Sequence, residues 1–412
     1  MPPRGPAKRA APPVGGSGGN IEVLPDSILE HILGFLPSPE AVQTSVLARR
    51  WRHLWKSATG LSVGCGYTSF PFSVEELRSL MNHLLILRQG SALEKCELTF
   101  GAFTGQDDVS HVNLWFRQVV MCKAQVLRLC TISDYSDVDP WLELDNLPLV
   151  SQHLTRLELD GVRMHSSLLN FSSCPALEYL EITCSDLSSV NIIVSESLKH
   201  LNIIDSVCSS DSRIRIYAPK IVSLRLEYLR KRTPMLEKMP ELVQAFFRID
   251  DECSDRCNGP NYESCDCESC DSSDNMADGS GSCVLLSGVS EAQNLTLISH
   301  SELFIFRRDL RWCPMSQKLK ILLLNGYWCV PDDFWALACI LEHSPVLEKL
   351  ILRLFLQGPE PKVQIKLRVD PTKISGAISK HLKKVELKCD VVDVRVLKVL
   401  KFLSTFNIFN RT

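Results

Sequence analysis

The cysteines between residues 250 and 283 are the side chains of this sequence most able to do chemistry. They lie close together among acidic and serine residues: Cys253, Cys257, Cys265, Cys267, Cys270 and Cys283. The spacings Cys253-x-x-x-Cys257 and Cys267-x-x-Cys270 could supply four thiolates to a tetrahedral zinc ion. A Cys-x-x-Cys motif can also carry out thiol–disulfide exchange when it opens a helix after a strand. The segment therefore suggests two chemistries, zinc binding and redox exchange.

The surroundings of these cysteines favour a different interpretation, an acidic insertion. Tyr262 and Met276 are almost the only residues of the segment that could pack into a core, and no histidine occurs there. Zinc sites are normally framed by turns and some hydrophobic residues, and a redox motif needs a strand and a helix around it. We therefore expect residues 250–283 to form an acidic Cys-rich insertion with no metal and no cofactor. A metal or redox sensor is the less favoured alternative.

No pattern typical of an enzyme occurs elsewhere in the sequence. The glycine run at residues 15–19 lacks the preceding strand and the Gly-Lys-Ser/Thr of a phosphate-binding loop. The ten histidines occur singly, and neither His-Glu-x-x-His nor Gly-x-Ser-x-Gly is present. The pairs Asp107-Asp108 and Asp332-Asp333 lie at predicted helix starts, where the helix dipole accounts for them. We expect a protein that is not an enzyme.

Length and charge limit the classes of partner. The 412 residues, 45% hydrophobic and 23% charged, suit a globular protein with more than one packed unit. With 45 Lys and Arg against 48 Asp and Glu, the net charge of −3 gives no reason to expect nucleic acid or a membrane as a partner. The sequence has no apolar run of about 18 residues and no signal-peptide core at its start. We expect a protein of the cytoplasm, the nucleus or both, with reduced thiols.

Residues 21–55 hold more apolar surface than a unit of this size can bury on its own. Pro25 suits the first position of a helix, and Asp26 adds an acid to the first turn. A second helix is predicted to start at Ser38, and a third helical segment follows it. The first helix carries an apolar stripe at helical spacing, made of Ile28, Leu29, Ile32, Leu33 and Leu36. The stretch is typical of one half of a protein interface.

These residues resemble the F-box, the module that joins substrate receptors to the Skp-type adaptor of a cullin-RING ubiquitin ligase. The matching motifs are Leu24-Pro25-Asp26, Ile28-Leu29, Ile32-Leu33, Phe35-Leu36-Pro37, Ser45-Val46-Leu47, Arg49-Arg50-Trp51 and Leu54-Trp55. Ala48 departs from the serine that plant relatives usually have, so we expect no side-chain cap on the third helical segment. The resemblance implies a set of adaptor-binding residues: Leu24, Pro25, Ile28, Leu29, Ile32, Leu33, Leu36, Val46, Leu47, Trp51, Leu54 and Trp55.

A repeated leucine pattern occupies much of the remaining chain. The form Leu-x-x-Leu-x-Leu begins at Leu154 and recurs after 23, 21 and 23 residues, which is the spacing of leucine-rich repeats. The regular copies begin at Leu154, Leu177, Leu198 and Ile221, and looser copies begin at Ala292, Leu319, Leu347 and Leu382. Alternate leucines of each strand point into a shared core, and no repeat is stable alone. We therefore predict an α/β solenoid, with parallel strands on its concave face and helices or irregular turns on its convex face.

Helices and strands are also predicted on either side of these repeats. Ser73 and Glu76 form a capping box that opens a helix, and residues 93–100 alternate like a strand. A second helix and a second strand follow, up to residue 129. Near the C-terminal end, residues 381–402 predict a strand and then a helix. This last unit resembles the FBD domain that often follows the F-box and the repeats in plant proteins.

Together these features predict an α/β protein of four parts. Residues 1–20, rich in proline and glycine, are expected to be a disordered tail. Residues 21–60 would form the helical F-box, and residues 61–370 the leucine-rich-repeat region that contains the insertion at 250–283. Residues 371–412 would form an FBD-like cap that covers the open end of the solenoid.

The resemblance implies a function that needs no catalysis by this chain. It predicts the substrate-recognition subunit of an SCF-type (Skp–cullin–F-box) E3 ubiquitin ligase. Its partners would be a Skp-type adaptor, a cullin reached through that adaptor and an unknown protein substrate. An F-box/leucine-rich-repeat scaffold with no role in ubiquitination is the alternative. Substrate contacts are expected on outward-facing strand residues: Arg156, Glu158, Glu178, Glu181, Lys199, Asn202, Ser223 and Arg225.

Overall fold

The computed structural model of the chain describes most of the residues that the sequence analysis singled out. The described residues are 21–64, 72–88, 90–101, 103, 105–132, 141–250, 252–253, 283–299, 305–310, 313–329, 334–354 and 381–404. The predicted tail at 1–20 and residues 254–282 of the predicted insertion lie outside them. Cys253 and Cys283, near the two ends of that insertion, are described, and both side chains are buried.

Short helices make up the N-terminal unit. The α-helices are α1 (Asp26–Leu33) and α2 (Ser38–Gln43), and the 3₁₀ helices are Ile21–Val23, Thr44–Val46, Arg49–Arg52 and Leu54–Ser57. Pro25 lies directly before α1, and Pro39 lies in the first turn of α2, where a missing N–H leaves no helical hydrogen bond unmade. The third helical segment is a 3₁₀ helix, and Ala48 at its start gives it no side-chain cap, as predicted.

Strands of a parallel sheet follow this unit. In chain order the strands are β1 (Gly60–Val63), β2 (Lys95–Phe100), β3 (Val126–Thr131), β4 (Leu142–Glu143), β5 (Arg156–Asp160), β6 (Val162–His165), β7 (Tyr179–Thr183), β8 (Asp186–Ser189), β9 (Ile192–Val194), β10 (His200–Ile204), β11 (Arg215–Tyr217), β12 (Ser223–Glu227), β13 (Met235–Leu236), β14 (Gln244–Ile249), β15 (Asn294–Ser299), β16 (Ile321–Asn325), β17 (Lys349–Arg353) and β18 (Lys384–Lys388). Twelve of them form one sheet in the order β1-β2-β3-β5-β7-β10-β12-β14-β15-β16-β17-β18. Two smaller parallel sheets, β4-β6-β8 and β9-β11-β13, come from the segments that connect these strands.

Helices occupy other segments between the strands, and one helix follows the last strand. They are α3 (Val74–Arg88), α4 (Gln106–Met121), α5 (Ile305–Leu310), α6 (Trp335–Glu342), α7 (Val394–Ser404) and the 3₁₀ helix Gly326–Cys329. The predicted capping box opens α3: the Glu76 carboxylate accepts the Ser73 N–H at 2.8 Å, and the Glu76 N–H donates to the Ser73 hydroxyl at 3.3 Å. The predicted α/β solenoid, with helices and irregular turns between parallel strands, is confirmed.

The register of the large sheet aligns the repeat leucines in rows. Leu157, Leu180, Leu201 and Leu224 pair in sequence across β5, β7, β10 and β12, and each is almost completely buried. The residues two positions later in each strand form a second buried row. Since side chains alternate between the two faces of a strand, the residues between these rows point to the opposite face. The predicted inward role of the repeat leucines is confirmed.

Two strands of the large sheet, β1 and β14, were not anticipated from the sequence. β14 lies between β12 and β15, and it places Ala245 and Phe247 in the two buried rows. Its pattern, Leu242-x-x-Ala245-x-Phe247, starts 21 residues after Ile221 and so keeps the period of the repeat. Alanine and phenylalanine take the places of the second and third leucines of the repeat pattern. For that reason the segment was not recognised as a repeat. The looser copy that begins at Ala292 is confirmed as β15.

The C-terminal strand and helix continue the same architecture. β18 pairs in parallel with β17, with Val385 opposite Leu350 and Leu387 opposite Leu352. α7 follows, and the ring of Phe402 stacks on Phe334 with centroids 4.5 Å apart. The predicted order of strand and helix is therefore present, joined to the end of the sheet.

The N-terminal helical unit is joined closely to the sheet. Gly34, at the end of α1, and Gly60, at the start of β1, approach so closely that a Cβ atom on Gly60 would overlap the carbonyl oxygen of Gly34. The guanidinium of Arg88, buried at the end of α3, donates to the carbonyl of Ala58 at 2.6 Å. The Ser62 N–H donates to the Ser38 hydroxyl at 3.1 Å. The backbone contact requires glycine on both sides.

We predict that Gly60→Ala lowers the free energy of unfolding by about 1–3 kcal/mol, because the added methyl group must push two backbone segments apart. Gly326→Ala is the matched control, since an added Cβ there meets no atom within 4 Å. It should change stability by less than about 0.5 kcal/mol. Denaturant unfolding of both variants measures the difference. Equal stability of the two would show that the Gly34–Gly60 contact is not tight.

Candidate protein-interaction surfaces

The F-box-like unit has an interior of its own. Five of the twelve predicted adaptor-binding residues lie in it, each at most 9% exposed: Leu29, Leu33, Trp51, Leu54 and Trp55. α1 contributes the two leucines from one helical face, and the last two 3₁₀ helices contribute the tryptophans and Leu54. These side chains pack against one another and against the first part of the sheet. They hold the unit together from inside.

The other predicted adaptor-binding residues lie at or near the surface. Val46 and Leu47 are 84% and 70% exposed, and Ile28 and Ile32 are partly exposed on α1. Pro25 is exposed, while Leu24 and Leu36 are half-buried. Adjacent apolar side chains left in solvent are a normal sign of an interaction site. We call the set Pro25, Ile28, Ile32, Val46 and Leu47 the F-box surface.

Sequence reasoning left out two exposed residues beside this surface. Phe35 is 75% exposed and Val23 is 80% exposed. The Phe35 ring meets the His31 ring edge-on, with centroids 4.9 Å apart. Leu29 and Leu33 are four positions apart on the buried face of α1, and Phe35 does not continue that spacing. The sequence could therefore have indicated that Phe35 is exposed. The apolar area open to a partner is therefore larger than predicted.

Arg50 connects the 3₁₀ helix Arg49–Arg52 to the turn before α1. Its Nε donates to the Asp26 carboxylate at 2.8 Å, and its guanidinium also donates to the Leu24 carbonyl. The pair is solvent-exposed, so its contribution to stability is at most about 1 kcal/mol. Its effect is geometric, because it fixes the turn before α1 against the Arg49–Arg52 helix.

The outward face of the large sheet carries the predicted substrate-contact residues. Six of the eight lie on neighbouring strands β5, β7, β10 and β12, and the other two directly precede β7 and β10: Arg156, Glu158, Glu181, Asn202, Ser223 and Arg225, with Glu178 and Lys199. Glu158, Glu181, Asn202 and Arg225 form one row of directly paired residues. The structure thus brings the predicted residues together on one face.

A first polar network covers this face at β5, β7 and β10. The guanidinium of Arg156 lies 3.6 Å from the centre of the Tyr179 ring and donates to Glu158 at 2.5 Å. The Tyr179 hydroxyl donates to Glu181, and Asn202 donates to both Tyr179 and Glu181 at 2.9 Å. Burial would raise the pKa of Glu181, but these hydrogen bonds and Arg156 outweigh it and lower that pKa. The Glu181 carboxylate is therefore ionised, and the hydrogen bonds fix the side chains of the network in place.

A second network lies beside it on β12 and β14. Arg225 donates to Glu227 at 2.7 Å, and its guanidinium lies 5.2 Å from the Phe246 ring centre. Arg248 donates to the Tyr228 hydroxyl at 2.6 Å and also faces Phe246. Sequence reasoning missed Phe246 and Arg248 because it missed β14. Tryptophan, tyrosine and arginine are the side chains most enriched at the energetic centres of protein interfaces, and this network contains Arg225, Arg248 and Tyr228.

We predict that the core and surface residues of the F-box-like unit differ sharply in their effect on stability. Trp55→Ala should lower the free energy of unfolding by about 3–5 kcal/mol, because it leaves a large cavity. Val46→Asp should change it by less than about 0.5 kcal/mol, because the side chain is in solvent. Thermal and denaturant unfolding of both variants provide the measurement. A comparable loss in Val46→Asp would place Val46 in the core instead.

The described part of the chain contains no helix that is both long and apolar enough to cross a membrane.

Comparison with known proteins agrees with these features. The family model described as F-box domain matches residues 21–59. A protein of Arabidopsis thaliana described as an F-box/FBD/LRR-repeat protein is 26% identical over 94% of this chain and 90% of its own length. A second protein of that description is 26% identical over 55% of this chain, and an FBD-associated F-box protein is 27% identical over 57%, both also from Arabidopsis thaliana.

The extent of these matches differs between relatives. The latter two alignments span 56% and 58% of the relatives' own lengths, so the chain spans little more than half of them. The F-box match coincides with the short helices and the exposed apolar surface, and the repeats coincide with the parallel sheet. The F-box match and these relatives together support a plant-type F-box/leucine-rich-repeat protein with an FBD-like C-terminal region.

Proposed function

We propose that this chain is the substrate-recognition subunit of an SCF-type E3 ubiquitin ligase. One end, the F-box surface, binds a Skp-type adaptor, which connects the chain to a cullin. The other end, the outward face of the sheet, binds a protein substrate. The observation that carries the proposal is the exposed apolar surface on an F-box whose interior is already filled.

The adaptor contact would use only part of the residue set predicted from the sequence. The residues of the F-box surface and the half-buried Leu24 and Leu36 beside it can reach a partner. Phe35 extends that area. The five interior residues act indirectly, by holding α1 and the Thr44–Val46 helix in place. Burying exposed apolar area contributes about 25 cal/mol per Å² of favourable free energy, so covering this surface with a partner would favour association.

Substrate contact is assigned to the two polar networks of the sheet. Their arginine, tyrosine and phenylalanine side chains present flat, partly apolar surfaces with charged edges, which suits a folded protein or an extended peptide. Internal hydrogen bonds already orient Arg156 and Tyr179, so little side-chain entropy would be lost on binding. The mixed charge of this face favours a partner that also carries both signs.

Chemistry would be left to other subunits in this arrangement. A receptor of this kind raises the local concentration of substrate lysines near a loaded ubiquitin-conjugating enzyme, and proximity alone accelerates the transfer. A chain that has the same architecture but only assembles proteins would also bind an adaptor. The two functions differ in what happens to the bound target.

We predict that Val46→Asp/Leu47→Asp weakens binding of a Skp-type adaptor by about 100-fold or more, because two charges would have to be buried against an apolar partner. Val150→Asp is the matched control: Val150 is 61% exposed but lies among the repeats, and its variant should bind normally. Calorimetry with purified full chain and adaptor measures both affinities. Unchanged binding by the double variant would exclude the F-box surface as the docking site.

A further prediction separates the ligase receptor from the scaffold. Proteins trapped on the chain while the proteasome is blocked should include a target that is lost from Tyr179→Ala/Arg225→Ala, since that variant removes one anchor from each network. The half-life of this target should lengthen in cells that carry Val46→Asp/Leu47→Asp. A target that stays bound but keeps its half-life in those cells would support the scaffold. Mass spectrometry and a degradation time course provide the readouts.

A further inference from the structure

Three potential metal ligands converge in the C-terminal repeats. The ligand atoms of Cys313, Cys339 and His343 all lie within 4.8 Å of one another. They form the only such group of three or more histidine, cysteine or acidic side chains among the residues that the structure describes. Cys339 lies in the last turn of α6 and His343 caps that helix, so an i, i+4 spacing places both on one face. Cys313 comes from the segment between α5 and β16.

A fourth potential ligand, Cys283, lies beside this group. The Cys283 thiol donates to the carbonyl of Asp309 at 3.2 Å, and the Cys339 thiol donates to the carbonyl of Leu310 at 3.8 Å. Both thiols are therefore directed at the C-terminal end of α5. Cys283 and Asp309 also act electrostatically on Cys313. The carbonyl dipoles at the C-terminal end of a helix favour a cation and disfavour bare thiolates.

The position of Cys283 is fixed by the buried carboxylate of Asp309. That carboxylate accepts the backbone N–H groups of Val284, Leu285 and Leu286 at 2.7, 2.7 and 2.8 Å. The chain leaving the Cys-rich segment is thereby held against α5. Such supporting hydrogen bonds are typical of residues that orient metal ligands.

The imidazole of His343 is oriented in a similar way. Its Nδ1 lies 2.8 Å from the carbonyl oxygen of Cys339 and 4.0 Å from the Cys339 sulfur. A proton on Nδ1 that is donated to this carbonyl leaves Nε2 with a free lone pair, which is the form of histidine that binds metals. A small cavity of about 20 Å³ adjoins Cys313 and His343, with Leu286, Leu295 and Ile340 in its wall.

We infer that Cys313, Cys339 and His343 bind a zinc ion, with Cys283 as the fourth ligand. Zn–S bonds of about 2.3 Å and Zn–N bonds of about 2.0–2.1 Å place tetrahedral ligands about 3.5–3.8 Å apart. Cys313, Cys339 and His343 therefore need to approach one another only slightly, whereas Cys283, which lies outside their 4.8 Å group, would have to move toward them. Each cysteine would release its proton to solvent as it binds the metal. The soft sulfur and imidazole ligands select zinc over calcium or magnesium.

Simple core packing is the competing explanation, because buried cysteines often act as small apolar side chains. Cys329, which is buried nearby, is of that kind: its pKa is raised to about 12 by burial. The cluster differs from it in three respects. Its ligand atoms converge, its histidine is oriented by a backbone carbonyl, and with Cys283 it draws on three successive connections of the solenoid. An ion there would tie together the segments before β15, β16 and β17.

The test is elemental analysis of the purified full chain, expressed with zinc in the medium and never exposed to a chelator. We expect about one zinc ion per chain in the native protein, and a loss of at least about 10-fold in Cys339→Ser and His343→Ala. Cys389→Ser, a half-exposed cysteine outside the cluster, is the control and should keep its zinc. Cobalt should give the thiolate charge-transfer bands of a tetrahedral site in the native protein only.

Two further variants keep the inference open to refutation if a cluster substitution disturbs folding. His343→Cys should retain zinc, because a fourth thiolate can replace the imidazole. Replacement of Cys257, Cys265, Cys267 and Cys270 by serine should also leave the zinc content unchanged. Metal lost from that serine variant but kept in Cys339→Ser would assign the ion to the acidic segment and overturn the inference. Metal-free native protein with a normal circular dichroism spectrum would overturn it as well.

Discussion

Each repeat of this protein depends on its neighbours to keep the inner row of apolar side chains out of water. Leu180 of β7 is covered on one side by Leu157 and on the other by Leu201, and no strand could shield its own leucine alone. This mutual cover also fixes the register, because a shift by one residue would turn Glu181 inward and Leu180 outward. With the inner rows constrained in this way, the outward face is free to carry the arginine and aromatic networks. The helical N-terminal unit and the C-terminal strand are joined to the two ends of the same stack.

Much of this architecture could be predicted from the sequence because its signals are periodic. Leucines at intervals of 21 to 23 residues predicted the parallel sheet, and the Leu-Pro and Arg-Trp motifs predicted the F-box. β14 escaped detection because Ala245 and Phe247 fill the buried positions with a smaller and a larger side chain. The division of the F-box residues into core and surface also escaped, since Val46 lies in a 3₁₀ helix, where the 3.6-residue period does not apply.

The cysteines illustrate a different limit of sequence reasoning. Short spacings such as Cys267-x-x-Cys270 draw attention because they can form a site without help from the fold. Cys339 and His343 are only four positions apart, but Cys313 is 26 positions before Cys339, so no local spacing marks the three as a group. They meet because stacked repeats bring equivalent parts of successive connections next to each other. Only the three-dimensional arrangement of the solenoid reveals them as a group.

The close contact of Gly34 with Gly60 fixes the distance between the F-box and each strand of the sheet. Because the F-box is fixed directly to the first strand of the sheet, the number of strands between the F-box and a bound partner sets the distance between the two. Strand spacing in a sheet is about 4.8 Å, and β12 is six steps from β1, so Arg225 lies about 30 Å along the sheet from the F-box end. A protein held against β5 would be displaced from one held against β12 by three such steps. If the chain is a ligase receptor, the repeat to which a substrate binds would thus determine which lysine of that substrate lies near the ubiquitin-conjugating enzyme.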